Sequence, residues 1–294
     1  TPKTVFGAMI AALKLRREAG VGPFTGQSCD NLQGNGAILR RTVVSLAALS
    51  DPDLAVWIDQ KCSFPNSMVD CIVPATGPLE CQLVRTLGID DAVPVTHENF
   101  RQWVIEDNFV EGVRPDFEAV GIEMVKDVTG FEQMKLRMLN GAHSFLAYAG
   151  LAQGYDFVHE AISDPQLRRQ ALSLMMEAGA TLPQDIQDQV PAYAQALLVR
   201  FDNTELAHRL DQIAMDGSQK LPYRILDTLR LGATPVLISA VRAWMSYCIA
   251  QTALGKKLND PLAEDIARAA NSAQPERKLL QLIGAEDLAP LILE

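Results

Sequence analysis

The sequence predicts an α/β domain over residues 1–127 and an all-helical domain over residues 128–294. In the first part, stretches with helical spacing of apolar residues alternate with short β-rich stretches, which is the order expected of an α/β fold. From about residue 128 onward, nearly every stretch has helical periodicity. The 294 residues are 48% hydrophobic and 21% charged, which is enough for two domains that each bury a core.

The elements predicted for the α/β domain follow one another along the chain. Apolar residues from Phe6 to Leu15 have helical spacing, and Gly20 ends that helix. Residues 24–30 are typical of a short strand that closes in a polar turn, and a second helix is predicted from Ala37. The remaining predicted elements are a helix over residues 52–59 and β-rich pieces at residues 71–73, 103–105 and 123–125.

The charge balance and the cysteines limit the partners of the chain. Lys and Arg number 26 and Asp and Glu number 36, so the formal net charge is −10. This disfavours nucleic acid, whose phosphates require a basic face. The sequence contains no uninterrupted run of about 18 apolar residues, so it predicts no membrane-spanning helix. Its first residues lack the features of a signal peptide. The five cysteines have no zinc-ligand spacing. We therefore expect a cytoplasmic protein with a small-molecule partner and no nucleic-acid or membrane partner.

Residues 134–144 (MKLRMLNGAHS) contain the most informative candidates for catalytic residues in the sequence. As one helix the segment is apolar nearly all round, which predicts burial. At about 100° per residue, Lys135, Asn140 and His143 fall on one side of it. A buried lysine loses its proton readily and can act as a base, and an amide can donate to an oxygen that carries negative charge. The alternative is a lysine that reaches water and an Asn and a His that are satisfied in the core.

Three other segments carry polar residues in suggestive places. Residues 28–36 (SCDNLQGNG) close the predicted strand with Asn31 and two glycines, and ligands bind at the carboxyl ends of strands in α/β sheets. Residues 64–70 (FPNSMVD) form a predicted turn that ends at Asp70, and residues 214–224 place Lys220 and Arg224 around a glycine and a proline. For each segment alone, ordinary turn chemistry is the simpler interpretation.

Taken together, these segments resemble the polyol-specific long-chain dehydrogenases. The family has a Lys, an Asn five residues later and a His three residues after that, which stand here as Lys135, Asn140 and His143. A second Asn follows the strand-end Cys-Asp, here Asn31. The resemblance covers essentially the whole chain, including residues 102–115 and 215–222. It implies a partial Rossmann-like cofactor domain followed by a mainly helical catalytic domain.

The resemblance also implies an activity and roles for individual residues. Members transfer a hydride between NAD or NADP and a secondary alcohol, without a metal. Lys135 would be the general base, and Asn31 and Asn140 would donate hydrogen bonds to the developing alkoxide. The remaining implied roles are substrate binding by His143, Asp70, Arg224 and Lys220, proton relay by Glu132 and cofactor binding by Ser67 and Val69.

The Gly-rich turn that opens the cofactor domain in this family is absent, since the sequence contains no Gly-x-Gly-x-x-Gly. We therefore expect a family member without its N-terminal portion. Residues 207–224 are closer to the fructuronate and mannonate branch than to the mannitol branch, and a hexuronate carboxylate would suit Arg224 or Lys220. The alternatives are a mannitol-type activity, a truncated fragment that only binds, or an aldolase in which Lys135 forms a Schiff base.

Overall fold

A small sheet and a large set of helices make up the chain, as seen in a computed structural model that describes residues 2–232 and 234–294. The described residues divide into two units. The first, called the N-terminal unit, runs to Cys71 and includes Asn99–Glu132. The second, called the C-terminal unit, comprises Ile72–Glu98 and Gln133–Glu294. The α/β character of the first part and the helical character of the rest are confirmed.

The N-terminal unit combines three helices with a three-stranded sheet of order β1-β2-β3. Strand β1 pairs antiparallel with β2, and β2 pairs parallel with β3. Residues of the three helices form one hydrophobic core, with Leu13, Val43, Leu54 and Ile58 almost completely buried. The elements are α1 (Val5–Glu18), α2 (Asn35–Ala48), α3 (Pro52–Lys61), β1 (Ser67–Asp70), β2 (Gln102–Glu106) and β3 (Glu123–Val125).

Local sequence accounts for the helix starts that were predicted. The Thr4 hydroxyl accepts a hydrogen bond from the Gly7 N–H at 3.2 Å, which caps α1. Asp51 caps α3 by accepting from Leu54 N–H at 3.0 Å, and Pro52 occupies the first turn, where no amide hydrogen is needed. The helices near residues 6–15, 37 and 52–59 and the strands at 103–105 and 123–125 are thus confirmed.

The strand predicted over residues 24–30 is wrong. Only Thr25 makes a β contact there, an isolated parallel bridge with Ser63. Beyond Thr25, side chains occupy the backbone group that a strand would use for pairing. Ser67 Oγ and Gln27 Nε2 both donate to the Ser28 carbonyl, at 2.6 and 3.0 Å. No second rung of a ladder can form on these groups.

The strand predicted at residues 71–73 is also wrong, since β1 ends at Asp70. The Ile72 N–H donates to the Glu98 carboxylate at 2.7 Å instead of to a neighbouring strand. Residues 64–70, predicted as a turn, contain β1 itself. Asn66 holds this strand in place, because its Nδ2 donates to both carboxylate oxygens of Glu106 at 3.1 Å.

The regular elements of the C-terminal unit are all helical within its described residues, apart from an isolated bridge between Phe157 and Arg209, and irregular segments such as residues 88–98 connect them. Two of its turns are π-helical, with hydrogen bonds five residues apart in place of four. We call them the Lys135 π turn (Lys135–Asn140) and the Arg224 π turn (Pro222–Leu226). The remaining helices are α4 (Pro78–Thr86), α5 (Thr129–Met134), α6 (Gly141–Ala152), α7 (Val158–Ser163), α8 (Pro165–Gly179), α9 (Val190–Phe201), α10 (Leu210–Ile213), α11 (Gly217–Leu221), α12 (Asp227–Leu231), α13 (Pro235–Ala253), α14 (Ala263–Ala270), α15 (Pro275–Leu282) and α16 (Ala289–Leu293). Residues 129–132 of α5 belong to the N-terminal unit, and the other helices to the C-terminal unit.

Helix α6 is the centre of this unit and packs against α13, α8 and α10. Its residues 141–148 are all buried, as the apolar pattern predicted. Gly150 permits the close approach of α10, because an added Cβ would lie 2.8 Å from a methyl of Leu210. Within the described residues, no helix is long and apolar enough to cross a membrane.

Residues 72–98 are held in the C-terminal unit by a buried ion pair. Arg200 Nη2 of α9 lies 2.7 Å from Glu98 Oε1, and the two side chains are 6% and 3% exposed. The same carboxylate accepts the Ile72 N–H, so both ends of the segment meet at one group. Burying this pair is tolerable only because the carboxylate has several donors.

Candidate functional site

The Lys135 π turn contains two of the residues that the sequence singled out, Lys135 at its start and Asn140 at its end. A uniform α-helix was assumed for this segment, and that assumption is wrong. In a π turn the residue five positions along follows about one turn later, so the backbone places Asn140 almost above Lys135. Both side chains are half-buried. His143 lies three residues further on, in the first turn of α6.

The Arg224 π turn packs against the Lys135 π turn. Gly141 lies at this contact, where an added Cβ would meet the Arg224 carbonyl oxygen and a Leu174 methyl at 3.4 Å, an ordinary van der Waals distance. Residues 214–216 do form a turn, but ordinary turn chemistry does not extend over the rest of the segment 214–224. Residues 217–221 are α11 and a π turn follows, which Pro222 begins without breaking the helix. Two adjoining π turns are unusual in a helical unit, and such turns occur frequently at functional sites.

His143 is buried, with 6% of its surface exposed. Its ring centroid lies 4.7 Å from that of Phe201 and 5.1 Å from that of His208, which meets it edge-on. Its buried Nε2 has no hydrogen-bond partner in the protein. Burial lowers the pKa of His143 well below its ordinary value, and the charges of His208, Arg224 and Arg200 lower it further. The imidazole is therefore neutral near pH 7.

Arg224 carries a second unsatisfied group. Its Nη1 donates to Ser144 Oγ at 3.2 Å, while the buried Nε has no partner in the protein. Burial lowers the pKa of Arg224, although a guanidinium stays charged near neutral pH. A cation with an unfilled donor position is suited to binding an anionic oxygen.

Lys220 is the other cation predicted to bind substrate. Its Nζ lies 3.7 Å from Asp216 Oδ2, and 21% of its side chain is exposed. Burial, followed by the charge of Arg224, lowers the pKa of Lys220, while the Asp216 carboxylate acts in the opposite direction. Its positive charge is thus partly offset within the protein.

In the N-terminal unit, Asn31 lies exposed in the loop between Thr25 and α2. The loop is shaped by Asn35, a residue that the sequence reasoning missed. Asn35 is 2% exposed, and its Nδ2 donates to the carbonyls of Asp30 and Ser67 at 2.8 and 2.9 Å. Its Oδ1 accepts the Ser67 N–H at 3.0 Å. Asn35 therefore ties the loop before α2 to β1.

The glycines on either side of Asn35 were the available signal for this role. Gly34 has a φ of +61°, which a side chain rarely tolerates. At Gly36 an added Cβ would lie 2.3 Å from the Pro65 carbonyl oxygen, so only glycine lets α2 start against this backbone. Glu132, the predicted proton relay, accepts the Gly34 N–H at 3.1 Å. The predicted relay residue thus helps to hold the loop that carries Asn31.

The predicted cofactor and sugar contacts lie on β1. Ser67 and Asp70 are almost fully buried, with 2% and 1% of their surfaces exposed, and Val69 is half-buried. Ser67 Oγ donates to the Ser28 carbonyl, so this hydroxyl can still accept a hydrogen bond but has no proton to offer.

The predicted residues are thus brought together in two groups, one in each unit. Lys135, Asn140, His143, Arg224 and Lys220 belong to the C-terminal unit. The N-terminal unit holds Asn31, Ser67, Val69, Asp70 and Glu132. Convergence of Asn31 with Lys135 stays a prediction. Among residues 2–232 and 234–294, no group of three His, Cys, Asp or Glu side chains is arranged to hold a metal ion.

Comparisons with known proteins match both parts of the chain. Residues 1–119 match the family model "Mannitol dehydrogenase Rossmann domain", and residues 127–288 match "Mannitol dehydrogenase C-terminal domain". The chain is 44% identical over 292 residues to D-mannonate oxidoreductase of Escherichia coli (strain K12), covering 96% of this chain and 60% of that protein. It is 42% identical over 290 residues to mannitol 2-dehydrogenase of Cereibacter sphaeroides, covering 94% and 60%.

The fold has solved counterparts as well. The structure of Pseudomonas fluorescens mannitol 2-dehydrogenase, a ternary complex with NAD and D-mannitol, aligns with a TM-score of 0.80 at 36% identity. That alignment covers 97% of this chain and 63% of the other. The chain therefore spans about 60% of the length of the curated relatives it matches.

Proposed function

Because the chain belongs to the mannitol dehydrogenase family, we propose that the complete protein is a zinc-independent, NAD-dependent oxidoreductase. It interconverts a secondary alcohol of a sugar acid or polyol and the corresponding ketone. D-mannonate and D-fructuronate are the proposed pair. The observation that carries the proposal is the Lys135 π turn with His143 behind it: a lysine, an amide and a buried imidazole with an unfilled Nε2 on one helix.

The proposed reaction assigns one task to each of these groups. In the direction of oxidation, the neutral amine of Lys135 accepts the proton of the reacting hydroxyl. The amides of Asn140 and Asn31 donate hydrogen bonds to the oxygen as negative charge develops on it. His143, neutral because it is buried, holds the same oxygen or its neighbour through Nε2. Glu132 passes the proton from Lys135 to water.

The residues present suit the nicotinamide end of a cofactor. Val69 offers a half-buried apolar side chain, and Ser67 Oγ can accept a hydrogen bond. The chemistry that bound NAD would supply is an acceptor for the hydride of the carbinol carbon. The pyrophosphate would need a Gly-rich turn, and the sequence contains no Gly-x-Gly-x-x-Gly. The proposal therefore concerns the complete protein.

The proposed substrate class follows from Arg224. Its Nε is buried without a partner, and a carboxylate can bind two guanidinium N–H groups side by side. A hexonate supplies that carboxylate, whereas mannitol does not. One observation favours the alternative substrate, mannitol: Asp216 lies 3.7 Å from Lys220 and offsets its charge. A neutral polyol would then meet only one uncompensated cation.

The full-length protein tests the substrate proposal. Steady-state oxidation of D-mannonate, D-altronate, D-mannitol and D-arabinitol is measured with NAD and with NADP. We expect the highest kcat/KM with D-mannonate and NAD, and no loss of activity after treatment with EDTA. A higher kcat/KM with D-mannitol would mean that mannitol, and not D-mannonate, is the substrate. If none of the four compounds supports reduction of NAD or NADP, the proposed oxidoreductase activity is wrong.

A second measurement separates an enzyme from a fragment that only binds. NADH is titrated into the 294-residue chain and into the full-length protein, and its fluorescence is followed. We expect enhancement with the full-length protein. Enhancement with neither protein would contradict a nicotinamide site.

A further inference from the structure

His208 lies beside the predicted catalytic helix but belongs to none of the roles assigned so far. Its ring meets that of His143 edge-on, with the centroids 5.1 Å apart and the planes at 88°. His208 is half-buried and lies two residues before the start of α10, in the segment that leads from α9 into α10.

The backbone on both sides of His208 is fixed. Its carbonyl accepts the Val158 N–H at 3.0 Å, and Leu210 N–H donates to the Asp156 carbonyl at 2.9 Å. The bridge between Phe157 and Arg209 lies between these two bonds. Backbone hydrogen bonds therefore hold the chain on both sides of His208, and they fix the position of its imidazole beside His143.

Three buried nitrogens in this neighbourhood lack any hydrogen-bond partner in the protein. They are His143 Nε2, His208 Nδ1 and Arg224 Nε. Buried polar atoms are rarely left unsatisfied, because each such atom loses its hydrogen bonds to water without replacement. Here they lie near one another, since the ring of His208 meets that of His143 at 5.1 Å and Arg224 Nη1 donates to Ser144, the next residue after His143. We call these three residues the basic cluster.

We propose that His208 is a specificity-determining residue that contacts the substrate, presenting its Nδ1 to a hydroxyl next to the oxygen held by His143. The inference rests on the proposed function. A polyhydroxylated chain carries oxygens on adjacent carbons, and two imidazole edges side by side match that repeat. Each can donate to or accept from a hydroxyl.

The chemistry of the basic cluster divides the substrate between its members. Burial lowers the pKa of His208 to about 4, so this ring is neutral at the pH of the assay and is no counter-ion for a carboxylate. The carboxylate falls to Arg224. His208 therefore contributes to the binding of neutral and acidic substrates alike, whereas Arg224 discriminates between them.

The test uses the full-length protein and the substrate panel given above. His208→Phe keeps a ring of similar shape and removes both nitrogens. We expect it to raise KM for D-mannonate and for D-mannitol by about 5- to 10-fold, the worth of one neutral hydrogen bond, with kcat changed less than about threefold. In His208→Asn the amide replaces Nδ1, and we expect at least half of the lost affinity to return.

His159→Phe is the matched control. His159 is also half-buried, and its Nδ1 has no partner in the protein. Its ring stacks on that of Phe157 with the centroids 5.5 Å apart, and His159 does not belong to the basic cluster. We expect its KM to stay within about twofold of wild type, as for a side chain that contacts no substrate. The thermal unfolding midpoint of each variant shows whether it is folded.

The outcomes separate the two proposals. If the wild type oxidises D-mannonate and His208→Phe behaves like His159→Phe, the role of His208 is overturned and the proposed function stands. If only mannitol is oxidised and His208→Phe still raises its KM, the substrate proposal fails and the role of His208 stands. A folded His208→Asn variant with the same KM as His208→Phe would also count against a hydrogen bond from Nδ1.

Discussion

Asn35 in the N-terminal unit and His143 in the C-terminal unit are both buried polar side chains, 2% and 6% exposed. The amide of Asn35 makes three hydrogen bonds of 2.8 to 3.0 Å, all to backbone groups of its own unit. The Nε2 of His143 makes none. One residue is complete without a ligand, whereas the other is not.

This difference supports the proposal that Asn35 builds the structure whereas His143 faces a ligand. Asn35 closes the loop before α2 on β1, and the free energy of its bonds stabilises the fold. The unfilled Nε2 of His143 lowers stability, and evolution retains such a cost at functional sites. Neither the identity of the residue nor its burial separates the two cases. The hydrogen-bond inventory does.

The largest effect that would sharpen the comparison is expected from Lys135→Ala in the full-length protein. We expect kcat to fall by about 10² to 10⁴, the usual contribution of a positioned general base. KM should change much less, because the two amides proposed to bind the oxygen are still present. A small primary amine in the medium should restore part of the rate.

The measurement is kcat against pH, with Lys278→Ala as control because that lysine is exposed on α15 of the same unit. An unchanged kcat in Lys135→Ala would remove the lysine from the reaction. So would a wild-type pH profile that the variant reproduces.

A pair of asparagines gives the next effect and tests the comparison directly. Asn35→Ala should lower the free energy of unfolding by about 3 kcal/mol, because it leaves buried backbone groups unpaired. Asn31→Ala, at an exposed position, should change stability by less than about 0.5 kcal/mol. Because Asn31 is a proposed oxyanion donor, Asn31→Ala should instead lower kcat by about 10²- to 10³-fold.

Urea unfolding and steady-state kinetics on the same two variants decide between these roles. Loss of activity without loss of stability in Asn35→Ala, or the reverse in Asn31→Ala, would invert the assignment.

The smallest effect concerns pH. Burial holds the pKa values of His143 and His208 below those of unfolded histidine, and that of His208 is about 4. Below about pH 6.5 these two histidines bind protons in the unfolded chain but not in the folded protein. The free energy of unfolding therefore falls as the pH drops. Each group contributes a slope of up to about 1.4 kcal/mol per pH unit in that window.

Urea midpoints at pH 7.5, 6.5 and 5.5 measure this slope. His208→Asn should have a shallower slope than the wild type, and His159→Asn should match the wild type. Equal slopes for the wild type and His208→Asn would show that His208 does not take up a proton on unfolding in this range.

Much of this organisation was predictable from the sequence, and the failures have physical causes. The helices that begin at Val5 and Pro52 were found because Thr4, Asp51 and Pro52 are local signals. The strand over residues 24–30 was predicted wrongly, because the Ser28 carbonyl accepts a hydrogen bond from the side chain of Ser67 on β1 in place of a neighbouring strand. Such contacts between distant parts of the chain are not encoded in a local pattern.

The candidate site shows the same limit. A motif of three residues, Lys135, Asn140 and His143, was enough to find the helix. It was not enough to find Asn35 or His208, because the roles of both depend on partners 32 to 65 positions away. The domain division at residue 127 stays a prediction. In the structure, residues 72–98 group with the C-terminal unit through the buried Glu98–Arg200 pair, which no periodicity announces.

The Lys135 π turn has a consequence for the length of the chain. A π turn has the geometry of an α-helix with one extra residue, so its residues cannot be counted at 3.6 per turn. Deleting one residue between Lys135 and Asn140 would let the helix return to an unbroken α-helical ladder. Lys135 and the asparagine would then stand four residues apart in an α-helix, about 40° apart around its axis, and would still share a face. The π turn would thus absorb the deletion, and the residues before it would keep their register with α6. In a regular helix such as α8, by contrast, deleting one residue would rotate all the preceding helical residues by about 100°.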